Sequence, residues 1–103
     1  MANDRYKDKP LLLLLELYVL DAIGKLEEKD RALLEQMTPK LCEMFGTKGT
    51  WKQAIEKGME FPSHLPSLIA ENWEKNSKLA KEQKLQLNPK EYAMQFVYNN
   101  FTQ

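Results

Sequence analysis

Apolar residues recur along this chain at spacings of three and four residues, which is the period of an α-helix. No segment alternates apolar and polar residues over a useful length, and no Asn-Gly or Asp-Gly hairpin turn occurs. The pattern therefore predicts an all-α fold without a sheet. The periodic segments indicate a compact array of about five helices, with the first helix at its centre.

Capping residues and prolines mark where the first helix begins. Asp8 is a good N-terminal cap, and Pro10 suits the first turn because its missing N–H has no partner there in any case. We predict this helix over residues 9–26, with Gly24 weakening its last turns. Residues 1–8 are polar and are expected to be disordered.

The second helix has two interpretations, which differ at Thr38-Pro39. A Thr-Pro pair is a good start for a new helix. However, the apolar residues on both sides of the proline share one face: Leu33, Leu34, Met37, Leu41, Met44 and Phe45. This common face favours a single kinked helix that ends at Gly46, with Asp30 as the candidate N-cap.

The remaining three helices also have recognisable starts. Thr50 and Gln53 form a capping box before a short third helix that reaches about residue 59. Pro66 opens the fourth helix, which is expected to fray within residues 75–84. Asn88 and Pro89 combine an N-cap with a first-position proline and begin the fifth helix.

Two apolar stripes follow nearly opposite sides of the first helix. One stripe consists of Leu11, Leu15, Tyr18, Ala22 and Leu26, and the other of Leu13, Leu17, Leu20 and Gly24. A helix on the surface of a monomer carries one such stripe. Either the other helices wrap the first helix, or the stripe of Leu13, Leu17, Leu20 and Gly24 is an interface with a second copy or another protein.

Two asparagines interrupt the apolar side of the fourth helix. Asn72 and Asn76 lie beside Trp73 on this side, and a buried amide without a partner costs about 1–3 kcal/mol. We expect the two amides to bind the backbone of a loop. The alternatives are a small-molecule or peptide site with Trp73 and Tyr92 as its walls, and a polar patch that sets the register of an interface.

Charge and length modify this picture in two ways. The 103 residues suffice for a single domain over positions 1–103. The 15 basic and 15 acidic residues cancel, whereas proteins that bind nucleic acid usually carry a basic excess. A helix-turn-helix built from the second and third helices, with Lys48 and Lys52 near its second helix, is therefore only a third hypothesis. Zero net charge does not oppose self-association.

The residues that could carry chemistry do not form a recognisable site. His64 is the single histidine and Cys42 the single cysteine, and the four glycines do not form a phosphate-binding loop. We therefore predict neither an enzyme nor a metal or cofactor. Glu16 and Asp21 interrupt the leucine run before it could cross a membrane, and one cysteine is typical of a reducing compartment, so we expect a cytoplasmic protein.

These observations lead to a ranked set of functional hypotheses. The first is a small non-enzymatic protein-interaction domain that forms a homodimer through its leucine-rich first helix. The second is a small-molecule or peptide binder that uses the region of the fourth and fifth helices. Nucleic-acid binding is the third.

Overall fold

The computed structural model describes the backbone of residues 10–101 and the side chains of residues 12–101. This part of the chain contains five α-helices and no β-strand, which confirms the predicted all-α class. The helices are α1 (Pro10–Ala22), α2 (Glu28–Phe45), α3 (Trp51–Gly58), α4 (Leu65–Glu82) and α5 (Pro89–Phe101). The predicted disorder of residues 1–8 falls outside the described residues.

The chain divides into two compact units. One unit comprises residues 1–25 and 66–103, and it contains α1, α5 and all but the first residue of α4. The other unit comprises residues 26–65 and contains α2 and α3. Helix α1 packs against α5 in the first unit, and α2 packs against α3 in the second. A single domain over residues 1–103 stays a prediction.

Helix α1 ends earlier than the sequence pattern predicts. Its last residue is Ala22, and Gly24 adopts a left-handed conformation with φ of 72°. The amide of Lys25 donates to the carbonyl of Leu20 over 2.9 Å. The amide of Gly24 donates to the carbonyl of Asp21 over 3.0 Å, and the two bonds form a Schellman motif. The prediction that α1 reaches residue 26 is therefore wrong, because glycine stops the helix instead of only weakening it.

Helix α2 continues through Pro39, which confirms the single-helix interpretation. The hydroxyl of Thr38 donates to the carbonyl of Leu34 over 3.0 Å, within the turn that precedes the proline. The helix ends at the predicted Gly46, which is left-handed with φ of 63°. The shared apolar face thus predicted the continuity of α2 correctly, whereas the Thr-Pro pair indicated the start of a new helix.

The start of α2 differs from the prediction. Glu27 occupies the N-cap position and its side chain makes no capping hydrogen bond. Asp30, the predicted cap, lies within the first turn together with Glu28. Acidic residues are favourable at the cap and also throughout the first turn, where they interact with the helix dipole. The sequence therefore indicated the end of the helix but not the position of its first residue.

Residues other than glycine hold the left-handed position after α3 and α4. These residues are Glu60, with φ of 55°, and Lys84, with φ of 59°. After α4 the amide of Leu85 donates to the carbonyl of Ala80 over 2.7 Å, as in the Schellman motif of α1. A β-carbon in this conformation costs about 1–2 kcal/mol. Each of these helix ends therefore carries strain that a glycine would relieve.

Substituting glycine at the end of α4 is expected to stabilise the protein. Lys84→Gly removes the β-carbon from a left-handed residue and should raise the free energy of unfolding by about 1 kcal/mol. Lys75→Gly makes the same change in the middle of α4 and should lower it by about 1 kcal/mol. Urea unfolding of both variants measures the two effects. A loss of stability in Lys84→Gly would contradict the assignment of strain to this position.

Helices α2 and α3 approach each other closely where Gly58 meets Phe45. The ring of Phe45 lies against the backbone of Gly58, in the space that a β-carbon would fill. The buried side chains of these two helices are Leu34, Leu41, Trp51, Ala54 and Ile55. The absence of a side chain at Gly58 is therefore part of how this unit packs.

Gly58→Ala is expected to destabilise the unit of α2 and α3. The added methyl group would displace the Phe45 ring, at a cost of about 1–3 kcal/mol. This cost should exceed the gain of about 1 kcal/mol from the better helix propensity of alanine. Thermal unfolding measures the balance, and Lys57→Ala, at the exposed neighbouring position, is the control. Equal or higher stability of Gly58→Ala would show that the ring moves at no cost.

Candidate functional site

Tyr92 of α5 joins the two asparagines of α4 into one hydrogen-bonded cluster. Its hydroxyl donates to Oδ1 of Asn72 over 2.6 Å. The side-chain amide of Asn76 donates to the same oxygen over 3.1 Å and to the backbone carbonyl of Asn72 over 2.9 Å. Oδ1 of Asn72 therefore accepts one bond from each helix.

Aromatic rings complete the contact between α4 and α5. The ring centroids of Trp73 and Tyr92 lie 5.2 Å apart at an interplanar angle of 72°, which is the favoured edge-to-face arrangement. The ring of Phe96 lies 6.1 Å from that of Tyr92. All four residues of the predicted polar site, Asn72, Trp73, Asn76 and Tyr92, are thus in one place.

We expected from the sequence that the two asparagines bind loop backbone, and this prediction is wrong. Asn72 is exposed and Asn76 is partly buried, so neither amide is enclosed in the core. Their partners are a tyrosine hydroxyl and the preceding turn of their own helix. The prediction failed because the side chain of Tyr92 is long enough to reach Asn72 from α5. No pattern within α4 reveals this contact.

An open groove lies beside this cluster, between the end of α4 and the start of α5, and we call it the α4–α5 groove. Its volume of about 370 Å³ falls near the lower end of the range for ligand sites, about 300–1,000 Å³. It is lined by Asn76, Leu79, Ala80, Gln83, Leu85, Leu87, Glu91, Tyr92 and Gln95. The groove extends the predicted polar site towards the connector between the two helices.

The groove combines exposed leucines with amides that have no internal partner. Leu79 and Leu85 are 51% and 61% exposed. Within residues 10–101, the side chains of Gln83 and Gln95 make no hydrogen bond. Glu91 is the one charged residue of the lining. The groove can therefore offer apolar contact, amide hydrogen bonds and one negative charge.

The start of α5 holds its side of the groove in position. The backbone amide of Glu91 donates to Oδ1 of Asn88 over 3.1 Å, which confirms the predicted cap. The sequence pattern did not indicate Glu91 or Gln95 as site residues. The spacing of four between Glu91 and Gln95 placed them on one side of a helix, but nothing indicated that this side would meet α4.

The structure separates the members of the candidate interface on α1. Leu20 is buried at 5% exposure, Leu17 is partly buried, and Leu13 lies at the surface at 37% exposure. Gly24 lies beyond the end of the helix, so its inclusion in the helical stripe is corrected. The buried apolar residues of α1 are Leu12, Leu15, Tyr18, Val19 and Leu20. Five apolar residues of α1 are therefore buried within the chain, including Leu20 of the candidate interface.

The first turn of α3 uses Gln53, a polar side chain of the hypothetical recognition helix, within the helix itself. The side-chain oxygen of Gln53 accepts from the amide of Thr50 over 3.0 Å, and the hydroxyl of Thr50 accepts from the amide of Gln53 over 3.1 Å. This confirms the predicted capping box. Trp51 is buried at 6% exposure. Thr50 and Gln53 are thus committed to the cap, and Trp51 to the core.

Other candidate chemistry is sparse in the part of the chain that the structure describes. Residues 10–101 contain no cluster of His, Cys, Asp or Glu placed to hold a metal ion. None of the helices in this range has the length and apolar composition needed to cross a bilayer. No protein-family model, curated protein or solved structure matches the chain. The function is therefore inferred from the geometry of the site alone.

Tyr92→Phe tests the bond that links α4 to α5. Loss of the hydroxyl should lower the free energy of unfolding by about 1 kcal/mol at neutral pH. Burial raises the pKa of the Tyr92 hydroxyl above its ordinary value, so its stabilising effect is complete below about pH 10 and is lost as pH rises through the folded-state pKa. The variant should lack this alkaline decline.

Urea unfolding across the alkaline range measures this difference. Tyr98→Phe, at an exposed position of α5, is the matched control and should retain the decline. If Tyr92→Phe and the wild type lose stability in parallel above pH 10, Tyr92 is not the group responsible.

Proposed function

We propose that this protein is a small non-enzymatic interaction domain that binds short peptide segments in the α4–α5 groove. The proposal rests on one observation about Gln83 and Gln95. Both side chains line the groove, and neither has a partner within residues 10–101. A glutamine amide offers a donor and an acceptor together, which matches the donor and acceptor of a peptide group.

The leucines of the groove supply the apolar part of the site. Leu79 and Leu85 keep more than half of their surface exposed, although a protein usually buries leucine. An extended peptide directs alternate side chains to the same side, so one apolar side chain can enter the groove while the backbone meets the glutamines. Backbone contacts would then provide affinity and the leucines would select an apolar residue.

Glu91 gives the ligand a preferred charge. Its carboxylate is exposed and makes no ion pair within residues 10–101. A lysine or arginine next to the apolar residue of the peptide would form a charge-assisted hydrogen bond with it. The proposed ligand is thus a segment with one apolar and one basic side chain.

The cluster beside the groove supports this proposal because it holds one wall in place. Tyr92 lines the groove and is tied to Asn72 and packed on the ring of Trp73. A wall that is already ordered loses little conformational entropy when a ligand binds.

A homodimer through α1 remains a proposal with less support. Of its four candidate residues, Leu20 is buried, and Gly24 lies outside the helix. Leu13 contributes the main exposed apolar surface. We favour a protein partner over nucleic acid because the net charge is zero, and a cytoplasmic location because the chain has one cysteine.

Titration with blocked peptides of alternating leucine and lysine tests the proposed function. We expect chemical-shift changes in the NMR spectrum that are centred on the groove. Gln83→Ala and Gln95→Ala should each weaken binding by about threefold to tenfold, the value of one hydrogen bond.

Matched controls accompany this titration. Gln86→Ala removes a neighbouring amide outside the groove lining and should leave binding unchanged. Peptides with glutamate in place of lysine should bind more weakly, because they meet Glu91 with a like charge. The proposal fails if none of the leucine–lysine peptides shifts groove residues at millimolar concentration.

A further inference from the structure

The unit formed by residues 26–65 carries an exposed surface that the proposed function does not use. Along α2, one side is formed by residues at alternating spacings of three and four, which are Asp30, Leu33, Met37, Lys40 and Met44. This is the spacing of the a and d positions in a coiled coil. Leu33 and Met44 are 50% and 61% exposed, and none of the five is buried. We call this side the α2 seam.

The α2 seam is complementary to itself in the antiparallel direction. Asp30 and Lys40 lie at equal distances along the helix from Glu35, and so do Leu33 and Met37. Two copies related by a twofold axis near Glu35 would therefore place Leu33 of each copy against Met37 of the other. The a positions Asp30 and Met37 then meet the d positions Lys40 and Leu33, which is the layer arrangement of antiparallel coiled coils. Met44 opposes position 26, which precedes α2.

The charges of the seam agree with the same arrangement. The twofold axis brings Asp30 of each copy to Lys40 of the other, and neither residue makes an ion pair within residues 10–101. A parallel pair would instead set Asp30 against Asp30 and Lys40 against Lys40. Like charges in contact are unfavourable, so the two charges select the antiparallel direction.

The residues beside the seam are also complementary. On one flank, Lys29 and Glu43 each directly precede an a position of the seam and so occupy equivalent heptad positions. The antiparallel arrangement therefore brings Lys29 of one copy near Glu43 of the other copy. Lys29 contacts Glu27 at 3.8 Å and remains 79% exposed, so it can exchange this partner. On the other flank, Leu34 and Leu41 are buried within the chain. The second copy would thus extend the apolar side of α2.

We propose that a second copy of this chain binds antiparallel along the α2 seam, with Leu33–Met37 contacts at its centre and Asp30–Lys40 pairs outside them. The occupant is assigned by the self-complementary order of charges and apolar residues. The proposal does not depend on the α4–α5 groove, which lies in the other unit. It places self-association on α2 instead of α1.

Charge reversal within the seam tests this proposal by sedimentation equilibrium from micromolar to millimolar concentration. The wild type should show a reversible monomer–dimer equilibrium. Asp30→Lys and Lys40→Glu each create two repulsive contacts in a homodimer and should raise the dissociation constant by at least about tenfold. An equal mixture of the two variants should recover dimers, because the new lysine of one then meets the new glutamate of the other.

Controls separate the seam from other sources of the same result. Glu35→Lys reverses a charge on the outer side of α2, and Leu13→Lys changes α1, so both should dimerise like the wild type. Circular dichroism verifies that each variant keeps its helix content. Met37→Lys provides a second seam variant if Asp30→Lys unfolds, since it places a charge in the central apolar layer.

Several outcomes would overturn the proposal. A wild type that stays monomeric at millimolar concentration would exclude it. A dimer that survives Lys40→Glu and Met37→Lys but is lost in Leu13→Lys would assign the interface to α1. Failure of the mixed charge variants to recover dimers, while both remain folded, would exclude the antiparallel pairing.

Discussion

The hydrogen bond from Tyr92 to Asn72 is the contact on which the candidate site depends. It joins two helices that are separated in sequence by the connector 83–88, and the edge-to-face contact with Trp73 reinforces it. Tyr92 is 7% exposed, yet its hydroxyl reaches an amide at the surface. The hydroxyl of Tyr92 ties α5 to α4, and Tyr92 also lines the α4–α5 groove. The same contacts therefore hold one wall of the groove in place.

Four exposed apolar residues in the described part of the chain, Leu33, Met44, Leu79 and Leu85, fall at two sites with different chemistry. In the α4–α5 groove, leucines lie among amides and one carboxylate, which suits a ligand with both backbone groups and side chains. Along the α2 seam, leucine and methionine lie between two opposite charges at coiled-coil spacing, which suits another helix. The leucine-rich α1, in contrast, places most of its apolar surface inside the chain.

Local signals predicted the helices well and their ends unevenly. The capping box at Thr50 and the cap at Asn88 were confirmed because each motif forms its hydrogen bonds within four residues. Residue type was less informative about which residue after a helix adopts the left-handed conformation. Gly24 ended α1 by becoming left-handed, and Glu60 and Lys84 adopt the same conformation without being glycine. Such positions depend on the path that the chain takes after the helix, which propensity does not encode.

The sequence by itself determined the all-α class, the number of helices in residues 10–101, the continuity of α2 and two of the caps. It also identified Asn72, Trp73, Asn76 and Tyr92 as one candidate site. The helices, the continuity of α2 and the caps follow from periodicity and short-range hydrogen bonding, which act within one or two turns. Only the tertiary structure decided that Tyr92 binds Asn72, that Leu20 is buried, and that Gln83 and Gln95 line one groove. Those outcomes depend on which helix faces meet, and helices with more than one apolar side allow several such pairings.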